Sequence, residues 1–194
     1  MTFLSKKKPL ILTLGGTGKT GRRVASRLKA AGHDVRPGSR SSVPAFDWTD
    51  EKGWSASLRG VTAVYITYAP DLAMPGAKDA IQAFVDLARR RGVERLVLLS
   101  GRGEEEAQAC ERIVIASGLA WTIVRASWFN QNFSEGAFVD MVRNGAITLP
   151  AGDQVEPFVD ADDIADVAVA ALTEDHHHGQ VYEVTGPRLM TLAD

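Results

Sequence analysis

The chain has 194 residues, with 22 Lys+Arg against 24 Asp+Glu, a formal net charge of −2, 45% hydrophobic and 24% charged residues. A globular domain of this length buries roughly 70% of its unfolded surface without staples, and the near-neutral balance, with only a short basic run at residues 6–8, argues against electrostatic nucleic-acid binding. No apolar run reaches the ~20 residues of a membrane span, residues 1–8 lack the apolar stretch of a leader, and the single cysteine, Cys110, leaves no intrachain disulfide or cysteine-built metal site, so a reducing, cytoplasmic setting is expected.

Apolar runs of strand length alternate with stretches of helical period. Residues 9–14 (PLILTL) form a continuous apolar run ending in glycines, which reads as a strand buried on both faces. Val24, Leu28 and Ala31 then recur at helical spacing until Gly32 stops the helix. A short strand at residues 34–36 is ended by Pro37, and residues 61–67 (VTAVYIT) form another buried run. Residues 77–91 are helical, with Ile81, Phe84, Val85 and Ala88 on one face, and residues 95–99 are a strand. A helix at residues 104–117, with Ile113 and Val114 inward, leads to a strand at 120–125. Helices near 135–143 and at 163–173 precede a last strand at 180–184. Strands alternating with crossover helices imply a parallel sheet covered on both sides. With no repeat or linker, residues 1–194 read as one doubly wound, Rossmann-like α/β domain.

The most informative segment is residues 15–21, Gly15-Gly16-Thr17-Gly18-Lys19-Thr20-Gly21, which follows a buried strand and opens a helix. Glycines at 15, 18 and 21 suit a tight turn, close approach of the backbone to a pyrophosphate, and close packing of helix on strand. The pyrophosphate would meet the free N–H groups and positive dipole end of the following helix. Gly18-Lys19-Thr20 also resembles the end of a phosphate loop, but the first glycine of that motif falls on Thr13, inside the strand.

The second strand ends without the acid that holds an unphosphorylated ribose, since Asp34 lies at its start. Ser39 and Arg40 follow instead, and a planar guanidinium suits a phosphate dianion, so NADP(H) is expected in preference to NAD(H).

Together these features resemble the atypical short-chain dehydrogenases, and most nearly the NmrA-like NAD(P)-binding proteins that include type-two quinone oxidoreductases. The matching stretches are GGTGKTGR at 15–22, Ser39-Arg40, Phe46-Asp47-Trp48, GVERLVLLS at 92–100, Ser117-Gly118-Leu119, residues 122–125 with Phe129, and FVDADDIA at 158–165. The resemblance implies that Asp47 and Trp48 lie beside the adenine, and that Tyr68, Ala69, Pro70, Ser100 and Gly101 line the ribose and nicotinamide. It also implies that the Tyr-x-x-x-Lys pair of alcohol-oxidising members is missing, because those places hold Gly103 and Ala107. Hydride transfer to a quinone, flavin or azo acceptor needs mainly positioning and a proton, and stays open. Family members generally continue beyond the position of Asp194, so a short or missing C-terminal substrate lobe is expected.

Ser100, at the carboxyl end of a central strand, is a candidate catalytic hydroxyl or a turn serine. Glu104-Glu105-Glu106 reads as first-turn helix charge, Asp160 and Asp163 as a cap, and Cys110 as a buried packing residue. His176-His177-His178 reads as a solvated loop, since adjacent histidines do not share a side of a regular element, and no metal site is expected. Asn130, Gln131 and Asn132 are candidate pocket donors. The leading expectation is an NADP(H)-binding oxidoreductase that passes hydride to a small-molecule acceptor, quinone-like or otherwise conjugated, without a Tyr/Lys pair. The alternative is a non-catalytic NADP(H) sensor reporting through a protein partner. Neither nucleic acid nor membrane is expected as a partner, and self-association stays open.

Overall fold

Side chains of β1 (Leu10–Leu14) leave the strand to both sides: Leu12 and Leu14 enter one core and Ile11 the other. A strand covered on both faces needs no alternation, which is why its sequence is continuously apolar. The computed structural model describes residues 9–136, 138–149 and 152–194. The basic run at 6–8 and the start read for a leader lie outside them.

The other elements are α1 (Lys19–Ala30), β2 (Asp34–Gly38), α2 (Glu51–Ser57), β3 (Val61–Ile66), α3 (Ala77–Arg90), β4 (Arg95–Gly101), α4 (Glu105–Ile115), β5 (Ala120–Ala126), α5 (Val139–Arg143), α6 (Ala161–Thr173) and β6 (Gln180–Val184). The strands form one six-stranded sheet in the order β2-β1-β3-β4-β5-β6, parallel at every pairing. One face is covered by Trp54 of α2, Ile81, Phe84 and Val85 of α3, and Cys110 and Val114 of α4. The other is covered by Val24 and Leu28 of α1 and Ile164, Ala165 and Ala168 of α6. Each fully buried large side chain contributes roughly 1.5–3 kcal/mol by leaving water, so two continuous cores hold the doubly wound, Rossmann-like fold. Among the described residues no helix is long and apolar enough to cross a membrane.

Several local expectations are corrected. Pro37 does not end β2; the strand runs on to Gly38, with Thr13 opposite Pro37. It tolerates the missing N–H because β2 is an edge strand. Ile113 is only partly buried, and the inner face of α4 is Ala107, Cys110, Glu111 and Val114. The helix expected near 135–143 is confined to α5 in its second half, with residue 137 outside the described residues. By contrast α6 starts two residues early, where the Asp160 carboxylate accepts the Asp162 N–H at 2.8 Å. Residues 175–177 form a 3-10 turn in which the His176 and His177 rings lie side by side, 4.0 Å apart at their centroids.

Candidate functional site

Gly15 takes φ +61°, the left-handed backbone that glycine adopts without strain. A Cβ there would also stand 2.3 Å from the Thr67 hydroxyl, at the end of β3. At Gly21 a Cβ would stand 2.2 Å from the Gly15 carbonyl oxygen, so this glycine lets α1 close onto the strand it follows. The turn is bound internally by Gly18 N–H to the Gly15 carbonyl at 2.7 Å and by Gly16 N–H to the Gly38 carbonyl at 3.0 Å. Thr17 and Gly18 are exposed, and the first N–H groups of α1 have no partner within the helix. This set fits a diphosphate. Thr20 is buried beside Tyr65, whose phenol burial pushes up, so the Thr20 side chain is not open to a ligand.

Next to the turn, across the carboxyl ends of β3, β4 and β5, lies a cleft of about 350 Å³. This is the edge where ligands bind in open parallel sheets, at the point where strand order reverses between β1 and β3. Tyr68 and Pro70 form one wall; Ala69 is exposed beside them. Trp128 and Phe138 stack at 5.8 Å and 24° on the opposite side, with Phe129 below.

Lys19, read from the sequence as part of the glycine turn, and Glu104, read as first-turn helix charge, both enter the cleft, which Asp71 also lines. Lys19 donates from Nζ to Asn132 Oδ1 at 2.7 Å, and burial holds its ammonium below the usual lysine range against the opposing pull of Glu135. Glu104 stands just before α4, its side chain making no capping hydrogen bond, and folds over Gly101, where a Cβ would lie 2.0 Å from the carboxylate. Burial, then Asp71 and Glu106, push the Glu104 carboxyl up. The one legible signal for Glu104 was its place just past the end of β4.

Ser100 lines the cleft, but its hydroxyl donates to buried Glu111 at 2.6 Å, so its one proton points away from any acceptor. Gln131 likewise turns from the cleft, bonding Asp160 and the Ala161 N–H at the start of α6. Of the three candidate amides, Asn132 reaches the cleft.

Where the sequence reading expects the adenine, Trp48 donates its indole N–H to the Thr67 carbonyl at 3.0 Å and packs against Tyr68 at 5.0 Å. Asp47 accepts the N–H and hydroxyl of Thr49, which lower its pKa, with Arg40 adding a smaller pull. Arg36 is committed to the Ser57 and Arg59 carbonyls. The exposed Arg40 makes no hydrogen bond or ion pair among the described residues, and Ser39 shares its hydroxyl with Ser41 at 3.2 Å. That leaves Arg40 open to an anion.

The segment after β5 is fixed over α1 by ion pairs. Glu135 takes Arg23 at 2.9 Å and Arg22 at 2.5 Å, while Asp162 takes Arg23 at 3.0 Å and Arg27 at 2.7 Å. The Arg23 and Arg22 hydrogen bonds hold the Glu135 carboxyl down to about 2.

A family described as NAD(P)H-binding matches residues 15–175. The chain belongs to this NAD(P)H-binding family. Agroclavine dehydrogenase from Claviceps fusiformis is 36% identical over 207 residues, covering 95% of this chain and 70% of that protein. An NAD(P)H azoreductase from Xenophilus azovorans is 30% identical, over 95% of this chain and 71% of that one. An NADPH-dependent quinone oxidoreductase from Escherichia coli shares the fold at a TM-score of 0.73 and 21% identity, over 94% of this chain and 70% of that one. As a member of this family the chain is an NAD(P)H-dependent oxidoreductase.

Proposed function

We propose that the chain is an NADP(H)-dependent reductase that acts on a flat, conjugated acceptor, quinone-like or azo, without a Tyr/Lys pair. The observation that carries this reading is the meeting of Lys19, Glu104 and the Trp128–Phe138 stack in one cleft beside the glycine turn. The N–H groups of residues 15–21 and the start of α1 would hold the pyrophosphate, Arg40 and Ser39 the 2′-phosphate, and Asp47 and Trp48 the adenine end. Tyr68, Ala69 and Pro70 would border the ribose and nicotinamide. Bound there, the reduced nicotinamide supplies a hydride, two electrons and a proton, to the acceptor.

The chain's own groups do the rest. Lys19 neutralises negative charge that grows on a reduced oxygen or nitrogen, in a cleft where burial strengthens that attraction. Glu104, held protonated further up the pH scale than an ordinary glutamate, supplies the second proton and so replaces the phenol that Gly103 and Ala107 do not provide. The stacked rings take a planar acceptor face-on and exclude water. Ser100 keeps the floor of the cleft in place through Glu111. The azoreductase relative acts on an azo compound by its name, which supports this acceptor class.

Steady-state oxidation of NADPH and NADH against a panel of quinones, azo dyes and triphenylmethane dyes tests the proposal. Turnover with at least one planar acceptor, faster with NADPH, is the expected result. Tight NADPH binding with no turnover on any acceptor would overturn it in favour of the sensor.

A further inference from the structure

The connection between α6 and β6 gathers a second set of chemical groups, on the opposite edge of the sheet from the glycine turn. Glu174 leaves α6 in extended conformation, and residues 175–177 make one 3-10 turn. In such a turn side chains three apart eclipse each other, which brings Glu174 under His177. His177 Nε2 and His176 Nε2 each lie 3.5 Å from the same oxygen, Glu174 Oε2. The three ligand atoms lie within 4.8 Å of one another. Around a tetrahedral ion with bonds of 2.0–2.1 Å, ligand atoms are about 3.3 Å apart, so both His–Glu edges are already close to that length.

Two features separate this cluster from an ordinary surface ion pair. His177 Nε2 is buried and has no hydrogen-bond partner among the described residues, Glu174 standing 3.5 Å away. Buried polar nitrogens are rarely left so. At the other side of the same ring, Nδ1 is 2.7 Å from the Tyr182 hydroxyl. A hydrogen bond on one imidazole nitrogen that aims the other is the usual support of a metal-binding histidine.

The backbone beneath is anchored. Arg95 donates to the Leu172 and Glu174 carbonyls at 3.0 Å each, the Thr122 hydroxyl donates to the His177 carbonyl at 2.8 Å, and the Trp121 N–H donates to His178 Nδ1 at 3.1 Å. His178 is thereby used in holding the turn, while His176 and Glu174 stay exposed enough to swing onto an ion. Two imidazoles and one carboxylate suit a borderline transition ion; magnesium and calcium prefer oxygen donors.

We propose that Glu174, His176 and His177 form a binding site for one divalent ion of the zinc class, with water in the remaining positions and Tyr182 orienting His177. Arg95 and Thr122 belong to the first half of β4 and β5, away from the reductase cleft, so the ion pins the connection between α6 and β6 and takes no part in hydride transfer. Because it binds the folded chain, it raises stability in proportion to its concentration.

The test is zinc titration against a chromogenic chelator, using chain purified without a polyhistidine tag and stripped with a chelator. One zinc per chain is expected, with a rise in Tm. His33→Ala, remote from the turn, keeps that affinity; His176→Ala and Glu174→Gln, both at exposed positions, lower it at least tenfold. Tyr182→Phe lowers it about ten- to a hundredfold, as removal of an outer partner does. Absence of stoichiometric zinc on the intact chain, or unchanged affinity in His176→Ala, overturns the proposal.

Discussion

Glu111 of α4 and Arg125 of β5 form a near-buried ion pair behind the cleft. Arg125 Nη2 reaches the carboxylate at 2.6 Å and Nε at 2.9 Å and 3.1 Å, and the Ser100 hydroxyl completes the set at 2.6 Å. The Glu111 side chain is 2% exposed and that of Arg125 24%. Removing one partner of a buried pair leaves an uncompensated charge, which costs about 3–5 kcal/mol. Arg125→Met should therefore destabilise by about 3 kcal/mol, the lower end, because water reaches the guanidinium. Urea unfolding measures this, and a loss below 1 kcal/mol would mean that the pair does not help to hold α4 onto β5.

Gly21→Ala places a methyl 2.2 Å from the Gly15 carbonyl and 2.8 Å from that of Leu14. The helix must shift outward, at a cost of about 1–3 kcal/mol. Thermal unfolding should show a Tm several degrees lower, and fluorescence titration should show weaker NADPH binding.

Arg40→Ala should weaken NADPH by about ten- to a hundredfold, the size of a hydrogen bond between charged partners, and NADH by far less. Equal losses for the two cofactors would remove Arg40 from the 2′-phosphate.

Glu104→Gln should lower kcat by about a hundredfold, the smaller end of general acid catalysis, and remove the limb on which kcat falls as pH rises. The folded state binds this proton more tightly than the unfolded state does. Its contribution to stability is therefore complete below the unfolded pKa and lost as pH rises through the folded one. The amide variant should consequently be the more stable protein at neutral pH, which calorimetry at pH 5 and pH 8 would check.

Glu135 and Asp162 have the opposite sign. Arginine hydrogen bonds lower both carboxyl pKa values, so their stabilisation is present above the unfolded value of about 4.3 for glutamate and is lost as pH falls toward about 2. Hydrogen exchange in residues 130–136 should rise across that window before the sheet unfolds. Added salt at neutral pH should produce a smaller change in the same direction.

Apart from α2 (Glu51–Ser57), which the sequence reading did not name, the order of strands and helices was legible because each element depends on neighbours within a turn or two. A run such as Leu10–Leu14 must be buried on both faces, and glycines at 15, 18 and 21 after it have few other uses. Where local signals misled, a neighbour in space had overruled them. Pro37 stays in a strand because that strand lies at the sheet edge, and Gln131 is drawn to the start of α6.

The amino-acid order thus dictated the parallel sheet, the glycine turn and the basic residue past the second strand, all consequences of short-range pattern. The cleft came from contacts that no window of sequence contains. Lys19 meets Asn132 across a separation of 113 positions, and a buried carboxylate on α4 decides which way Ser100 turns its hydroxyl. Side-chain direction at such places is set by packing and by the cost of leaving buried charge unpaired, and both exist only once the chain has folded.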